Sequence, residues 1–505
     1  MAYDIITIGS GLGGLLSSAL MAREGRKVLL LEQHSIPGGY CTSYKRNGFT
    51  FNIPSVFTNI MDGELYSTLN SLRLFDELEW VDVDNFAKYI YPDIEIVMPA
   101  NDLDGCRENI KTAFPSDKNA VDKVFTEITR LQKNMSSLQQ PGKSIREIIS
   151  LVTTIPKMIL LSKKSFYNYL RKFTDNEKLI TVLSSLWGYA GLPSKNIPAM
   201  LLLMMSGECY GNPTSFPRDG YQAVSDFLAG KFLEFGGEIK YRTAVSRILI
   251  EDRKAAGVET ATGEIFHAGA VVSNADTKKT FLELVGRQNL PRRLALKVDA
   301  HTPSASGVSL HIGTNLDLSK LDLKYGNIFF YESWEDSNIF YDKAMTNTID
   351  IEKDNIVLGL QASSLLSDRF APEGMNTLHI CLYPLHHGYK QNFRIKDGVR
   401  GEEYREIKDQ LADILIRKVD KLIPGLSGSI LVKELSTPYT FERYTGASDG
   451  AWYDSVSSIN QRFQRPSSET PIEHLYLTGT KAFGGAGMSS ALRGGIETAK
   501  AISRK

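Results

Sequence analysis

The chain has 505 residues, a hydrophobic share of 42%, and balanced charge, with 58 Lys and Arg against 58 Asp and Glu. It is long enough for two or three structural units and offers no electrostatic case for nucleic acid. Its four cysteines, Cys41, Cys106, Cys209 and Cys381, form no CxxC pair, which speaks against a zinc site or a disulfide framework and fits reduced thiols in a cytoplasmic compartment.

Tyr3 to Ile8 is short, β-branched and largely apolar, as a strand buried on both faces of a parallel sheet must be. It starts at once, leaving no room for a signal peptide. Next come Gly9-Ser10-Gly11-Leu12-Gly13-Gly14, a helix from Leu15 to Glu24, Gly25 as its left-handed cap, and a second strand from Lys27 to Glu32. Gly9 makes the tight turn, Gly11 leaves the backbone open to a pyrophosphate, and Gly14 lets the helix pack close to the sheet. Glu32, beside Gln33, stands about 20 residues on, where a dinucleotide fold places the carboxylate that binds a ribose. A GxGxxG alone is weak evidence, but between a strand and a helix and followed by a strand ending in Glu it predicts dinucleotide binding.

Pro37-Gly38-Gly39 offers a second place for backbone to approach a ligand. Trp80 to Asp84, Ala87 to Tyr91 and Ile94 to Met98 read as short antiparallel strands of a second unit. Residues 117–235 are mostly helical in pattern. Within them Ile145 to Phe173 mixes apolar residues with Lys157, Lys163, Lys164, Arg171 and Lys172, which suits a peripheral contact with a membrane surface or equally a helical cover with a solvated basic face. No run of about 18 or more uncharged apolar residues occurs, so no membrane span is expected. Trp187, Tyr189, Met200, Met204, Met205 and Tyr210 are candidates to line an apolar tunnel, or are simply core.

Tyr221 to Gly236 is an amphipathic helix followed by strands at Glu238 to Arg242, Ala244 to Glu251, Ala256 to Thr260 and Ala270 to Ser273. Strand patterns return between residues 301 and 445, with one clear helix from Glu402 to Leu422. His386-His387 is the only adjacent His pair and points to opposite faces of a strand, which disfavours a metal. His474 to Thr480 is a strand and turn, and Gly484-Gly485-Ala486-Gly487 leads into a helix from Met488 to Ser503, a second helix start facing something electron-rich. The fold class expected is α/β, with a Rossmann-like parallel sheet and β-meander formed by residues 1–79, 221–300 and 446–505. A mixed-sheet and helical substrate domain, residues 80–220 and 301–445, is interleaved with it.

Four segments carry a family resemblance: ITIGSGLGGLLSSALMAREGRKVLLLEQHSIPGG, YKRNGFTFN, the stretch from Phe216 to Asp276, and LYLTGTKAFGGAGMSSALRGGIETA. The chain resembles the phytoene desaturase, carotenoid isomerase and retinol saturase group within the amine-oxidase-like flavoproteins. That resemblance implies FAD. Gly9, Ser10, Gly11, Leu12, Gly13 and Gly14 would serve its pyrophosphate, Glu32 and Gln33 its adenosine ribose, Val245 its adenine, and Gly38 and Gly39 its flavin side. Gly479, Gly485, Gly487 and Met488 would cover the ribityl chain and ring. Thr480 stands where many relatives have an acid, and Asn52-Ile53-Pro54 replaces their flavin-facing turn.

The activity so implied is oxidation, reduction or cis-trans isomerisation of a long apolar polyene or isoprenoid, with quinone or oxygen as the open choices of electron acceptor. Two rivals stand beside it. One is a non-catalytic prenyl-binding escort of similar architecture. The other is an amine or amino-acid oxidase, for which the chain lacks an obvious carboxylate-binding Arg unless Arg46 or Arg493 serves.

Overall fold

In the computed structural model, which describes residues 2–53, 60, 63–139, 155–334, 337–346, 348–385, 392–393, 395, 399–459 and 467–504, the opening strand Tyr3–Ile8 (β1) is the centre of a parallel sheet. Ile5, Ile6, Thr7 and Ile8 are all buried, as a strand covered on both faces requires. Helix Leu12–Arg23 leads to β2 (Val28–Leu31), and a hairpin follows, β3 (Ser43–Arg46) and β4 (Phe49–Asn52). Next in order are β5 (Trp80–Asp82), β6 (Asn85–Ile90), β7 (Glu95–Pro99) and, after several helices, β8 (Ser215–Pro217). Helix Tyr221–Glu234 precedes β9 (Glu238–Lys240) and a meander of β10 (Val245–Glu251), β11 (Lys254–Thr260) and β12 (Ile265–Ser273). The chain continues through β13 (Ser306–Thr314), β14 (Asn327–Tyr331), β15 (Val357–Gln361), β16 (Asn376–Leu385) and β17 (Ile430–Ser436), then ends on β18 (Leu475–Leu477) and helix Gly487–Ser503.

Two seven-stranded sheets result. The first runs β10-β11-β12-β1-β2-β9 with β18 also on β12; β18, β12, β1, β2 and β9 are parallel and the meander antiparallel. This is the Rossmann-like sheet with a β-meander that the sequence predicts. The second, β17-β13-β16-β15-β14-β6-β7, is antiparallel except where β14 meets β6. Helix Leu12–Arg23 is buried from Leu12 to Ala22, a helix apolar all round because helices Tyr221–Glu234 and Gly487–Ser503 share its core. Each fully buried Leu there contributes about 1.5–3 kcal/mol of transfer free energy. Among the described residues no helix is long and apolar enough to cross a membrane, and no group of three or more His, Cys, Asp or Glu is placed to hold a metal.

Three expectations need correction or bounding. Trp80–Asp82 does not join the second sheet; it pairs with Ser215–Pro217, and Trp80 packs against the core of the first sheet's helices beside Phe75. Strand β17 and hairpin β3–β4 are absent from the sequence reading. Residues 145–154 of the basic apolar stretch, and His386-His387, lie outside the described residues.

A buried histidine pair sets an acid limit. His311 on β13 and His379 on β16 are register partners whose rings stack at 4.3 Å. Burial lowers the His311 pKa to about 4, against the opposing hydrogen bond to the Asn52 carbonyl. Burial, and then the charge of His311, lower that of His379. The unfolded chain takes up these protons near pH 6.5 and the folded chain does not, so their contribution is intact above that pH and is lost as pH falls from 6.5 through 4. His311 alone implies a loss on the order of 3 kcal/mol by pH 4. Urea midpoints should therefore decline between pH 6.5 and 4.5, with a shallower decline in His379→Leu; a flat wild-type profile would contradict the assignment.

Candidate functional site

One cleft collects chemistry from both ends of the chain. Gly9 turns at φ +90° out of β1, a conformation that favours glycine, and helix Leu12–Arg23 begins on Gly11 with no side-chain cap and no acid in its first turn. Helix Gly487–Ser503 likewise begins uncapped, with no acid in its first turn. Both starts line the same cleft, at Gly11, Leu12 and Gly13 and at Gly487 and Met488. Two uncapped helix N-termini facing one cavity complement a ligand with two electron-rich regions.

Glu32, which lines the cleft, is 6% exposed. Its Oε2 accepts from the Ser10 N–H at 2.8 Å and the Ser10 hydroxyl at 2.6 Å, and its Oε1 from the His34 N–H at 2.8 Å. The carboxylate thus braces the glycine turn while lining the cleft. Gly38 donates its N–H to the Ser10 carbonyl at 2.9 Å, and a Cβ on Gly39 would lie 3.5 Å from the Gly11 Cα. The two glycine segments are therefore in contact, forming a backbone cradle.

Another part of the lining is tied by two buried carboxylates, Asp276 and Asp454. Asp454 accepts from the Thr277 N–H and hydroxyl, each at 2.9 Å. Asp276 accepts from the Ser448 hydroxyl at 2.7 Å and the Lys279 N–H at 3.0 Å. Burial first, then the charge of Asp454, raises the Asp276 pKa. Their partners are structural, and they fix residues 276–280 against 448–454 rather than standing free as acids.

Elsewhere in the cleft the Cys41 thiol lies 3.7 Å from the Met488 sulfur, and burial pushes the Cys41 pKa up to about 12. It is a small apolar wall residue, not a thiolate nucleophile. The second sheet contributes Ser309 and Cys381 to the lining.

Of the residues singled out from sequence, Gly9, Gly11, Leu12, Gly13, Glu32, Gln33, Gly38, Gly39, Val245, Gly479, Gly487 and Met488 line this cleft. Ser10, Gly14 and Gly485 do not. Ser10 holds Glu32, Gly14 packs on the Gly9 carbonyl, and Gly485 packs on Ser490. Thr480 and Ile53 line the cleft, Asn52 does not, and Pro54 lies outside the described residues. The tunnel candidates are absent from it: Trp187, Tyr189, Met200 and Tyr210 are buried in the hydrophobic core that includes the second sheet, with Met204 and Met205 packed against that core. Neither Arg46 nor Arg493 lines the cleft. Asn274, Asp276, Asp454 and Lys481 were missed. The signal for the first two is their place just after β12, at the carboxyl end of a parallel strand, where open α/β sheets bind ligands.

The family model described as flavin containing amine oxidoreductase matches residues 12–503. The chain is 26% identical to a chloroplastic prolycopene isomerase of Daucus carota, over 99% of this chain and 80% of that one. It is also 26% identical to an all-trans-retinol 13,14-reductase of Danio rerio, over 99% and 86%. A solved oxidoreductase of Methanosarcina mazei shares the fold, with a TM-score of 0.66 and 18% identity over 99% of this chain and 100% of that one. The uncapped helix starts and the glycine cradle fit an anionic dinucleotide. The chain belongs to the flavin containing amine oxidoreductase family, and it is an oxidoreductase with FAD as its cofactor.

Proposed function

We propose that the protein acts on a long apolar polyene or isoprenoid, by desaturation, saturation or cis-trans isomerisation. The carrying observation is the uncharged wall that the second sheet turns to the cleft, a hydroxyl at Ser309 and a thiol at Cys381. An ammonium or carboxylate substrate would need a counter-charge there; an apolar chain needs none. The names of the similar proteins, an isomerase of prolycopene and a reductase of retinol, support the same reading. Exposed Ile155, Ile159 and Leu160 at the described end of the basic apolar stretch support peripheral contact with a membrane, from which such a substrate would be drawn.

In this reading the helix starts at Gly11–Gly13 and Gly487–Met488 hold the electron-rich parts of FAD. Glu32 with Gln33 holds the adenosine ribose, Val245 meets the adenine, and Gly38, Gly39 and Gly479 pass along the backbone side. Bound FAD supplies two-electron hydride chemistry that no side chain here provides. The protein's part is to exclude water and position the polyene. Products from a panel of polyenes, incubated with oxidised and then chemically reduced enzyme, separate the three outcomes: oxidised enzyme alone desaturates, reduced enzyme alone saturates, and isomerisation leaves the redox state unchanged. No change in any polyene would sink the proposal.

Lys481 supplies a second test. It lines the cleft and is 9% exposed, and its Nζ donates to the Asn274 carbonyl at 3.0 Å with no acidic partner among the described residues. A buried ammonium without a counter-charge is costly, and an anionic cofactor provides one. Lys481→Met should weaken FAD binding roughly 10- to 100-fold, as expected for losing a charge-assisted contact. An unchanged Kd, read by flavin fluorescence, would reduce Lys481 to packing.

A further inference from the structure

The face of the second sheet that reaches the cleft carries, one row further on, a line of buried polar side chains with almost nothing to bond. Ser309 pairs in register with Cys381, and Cys381 with Gly359. Two residues along each strand, His311 pairs with His379 and His379 with Gln361. Lateral neighbours share a face of a sheet, and so do residues two apart on one strand. The His311–His379–Gln361 row therefore lies on the same face as Ser309 and Cys381, which line the cleft. Asn327 extends it on β14, one position beyond the Ile328–Leu360 pair.

His311 Nδ1, His379 Nε2, both amide atoms of Gln361 and Asn327 Nδ2 are buried without a hydrogen-bond partner, in residues 1–5% exposed. Native interiors rarely leave such groups unpaired, and here five atoms in four adjacent residues lack partners. Burial keeps both histidines neutral; His311 spends its N–H on the Asn52 carbonyl through Nε2, so its unpaired Nδ1 is an acceptor. Glu434, the register partner of His311 on β17, ends the row on that side and is ion-paired with Arg46 at 3.5 Å, so the four unpaired residues themselves carry no charge. Neutral donors and acceptors without a charge match a hydroxyl or carbonyl, and suit neither a carboxylate nor an ammonium.

We propose that this row binds an oxygen function, a hydroxyl or carbonyl, carried by the polyene substrate, so that the enzyme selects oxygenated polyenes over hydrocarbons. The inference rests on the polyene reading above and narrows its substrate class.

The test is a matched set of ligands: a C20 polyene alcohol, its aldehyde and the hydrocarbon of equal length and conjugation, titrated into FAD-loaded enzyme. A site built to hydrogen-bond an oxygen rejects the analogue lacking it; the alcohol or aldehyde should bind at least about tenfold more tightly than the hydrocarbon. In Gln361→Leu, and separately in His379→Phe, that ratio should fall toward one. Because Gln361→Leu replaces unbonded polar atoms with an apolar side chain of similar size, the Tm of the ligand-free variant should be unchanged or raised. The proposal is overturned if the hydrocarbon binds as tightly as the alcohol, if both variants keep the wild-type ratio, or if Gln361→Leu lowers the Tm by several degrees, which would show the amide to be satisfied by buried water. Binding and conversion of the hydrocarbon alone would overturn this inference and leave the polyene reading standing. Failure to bind any of the three would remove both.

Discussion

Gly494→Ala is expected to yield a protein that unfolds several degrees below wild type and purifies with little flavin. A Cβ at Gly494 would overlap the Gly479 carbonyl, and one at Gly13 would overlap the Gly479 backbone from the other side. Three backbone segments meet there without side chains: the first helix, the turn after β18 and the last helix. Thr478 and Thr498 tie the segments together, with the Thr478 hydroxyl donating to the Gly13 carbonyl at 3.2 Å and the Thr498 hydroxyl reaching the Leu477 carbonyl at 2.9 Å. Overpacking ordinarily costs about 1–3 kcal/mol. Here the obstacle is backbone, which cannot rotate aside, so a loss at or above the top of that range is expected. Because Gly13 and Gly479 line the cleft, the shift that relieves the clash also moves cofactor-binding backbone. Thermal unfolding and the ratio of flavin to protein absorbance read both effects, and a yellow variant with wild-type Tm would contradict the packing argument.

Glu32→Ala should lower FAD affinity by two orders of magnitude or more. The substitution removes a carboxylate from the cleft and also deprives two N–H groups and a hydroxyl, at Ser10 and His34, of their acceptor. Losing those acceptors lowers the stability of the glycine turn, while losing a ligand hydrogen bond to a charged group costs about 1.5–3 kcal/mol of binding, and 2.8 kcal/mol is about a hundredfold in affinity. Glu32→Gln keeps one acceptor oxygen and should lose closer to tenfold. Titration of the apoprotein with FAD, followed by fluorescence, separates the two; equal affinity in wild type and Glu32→Ala would show that Glu32 serves neither ligand nor turn.

The opening βαβ unit is legible in sequence because its constraints are local. A glycine must follow β1, and strands buried on both faces must be apolar throughout. The helix starts at Leu12 rather than Leu15 because the glycines themselves enter it. Trp80 misleads because a short alternating strand carries no mark of which sheet it joins. The aromatic and Met positions from Trp187 to Tyr210 look alike whether they face a tunnel or a core. Part of the cleft's lining depends on bonds between Asp276 and Ser448 and between Thr277 and Asp454, 172 and 177 residues apart. No local pattern announces them. The polar row is hidden for the same reason: residues 311, 327, 361 and 379 become neighbours only through strand register.

The most direct test sets the rival substrates of this fold against each other. FAD-loaded protein is given a polyene panel and an amine panel in parallel, under air and anaerobically after chemical reduction, with chromatography of the polyenes and peroxide detection for the amines. The account predicts a changed double-bond count or geometry in at least one polyene and no amine-dependent peroxide. Amine-dependent peroxide with every polyene unchanged would contradict it.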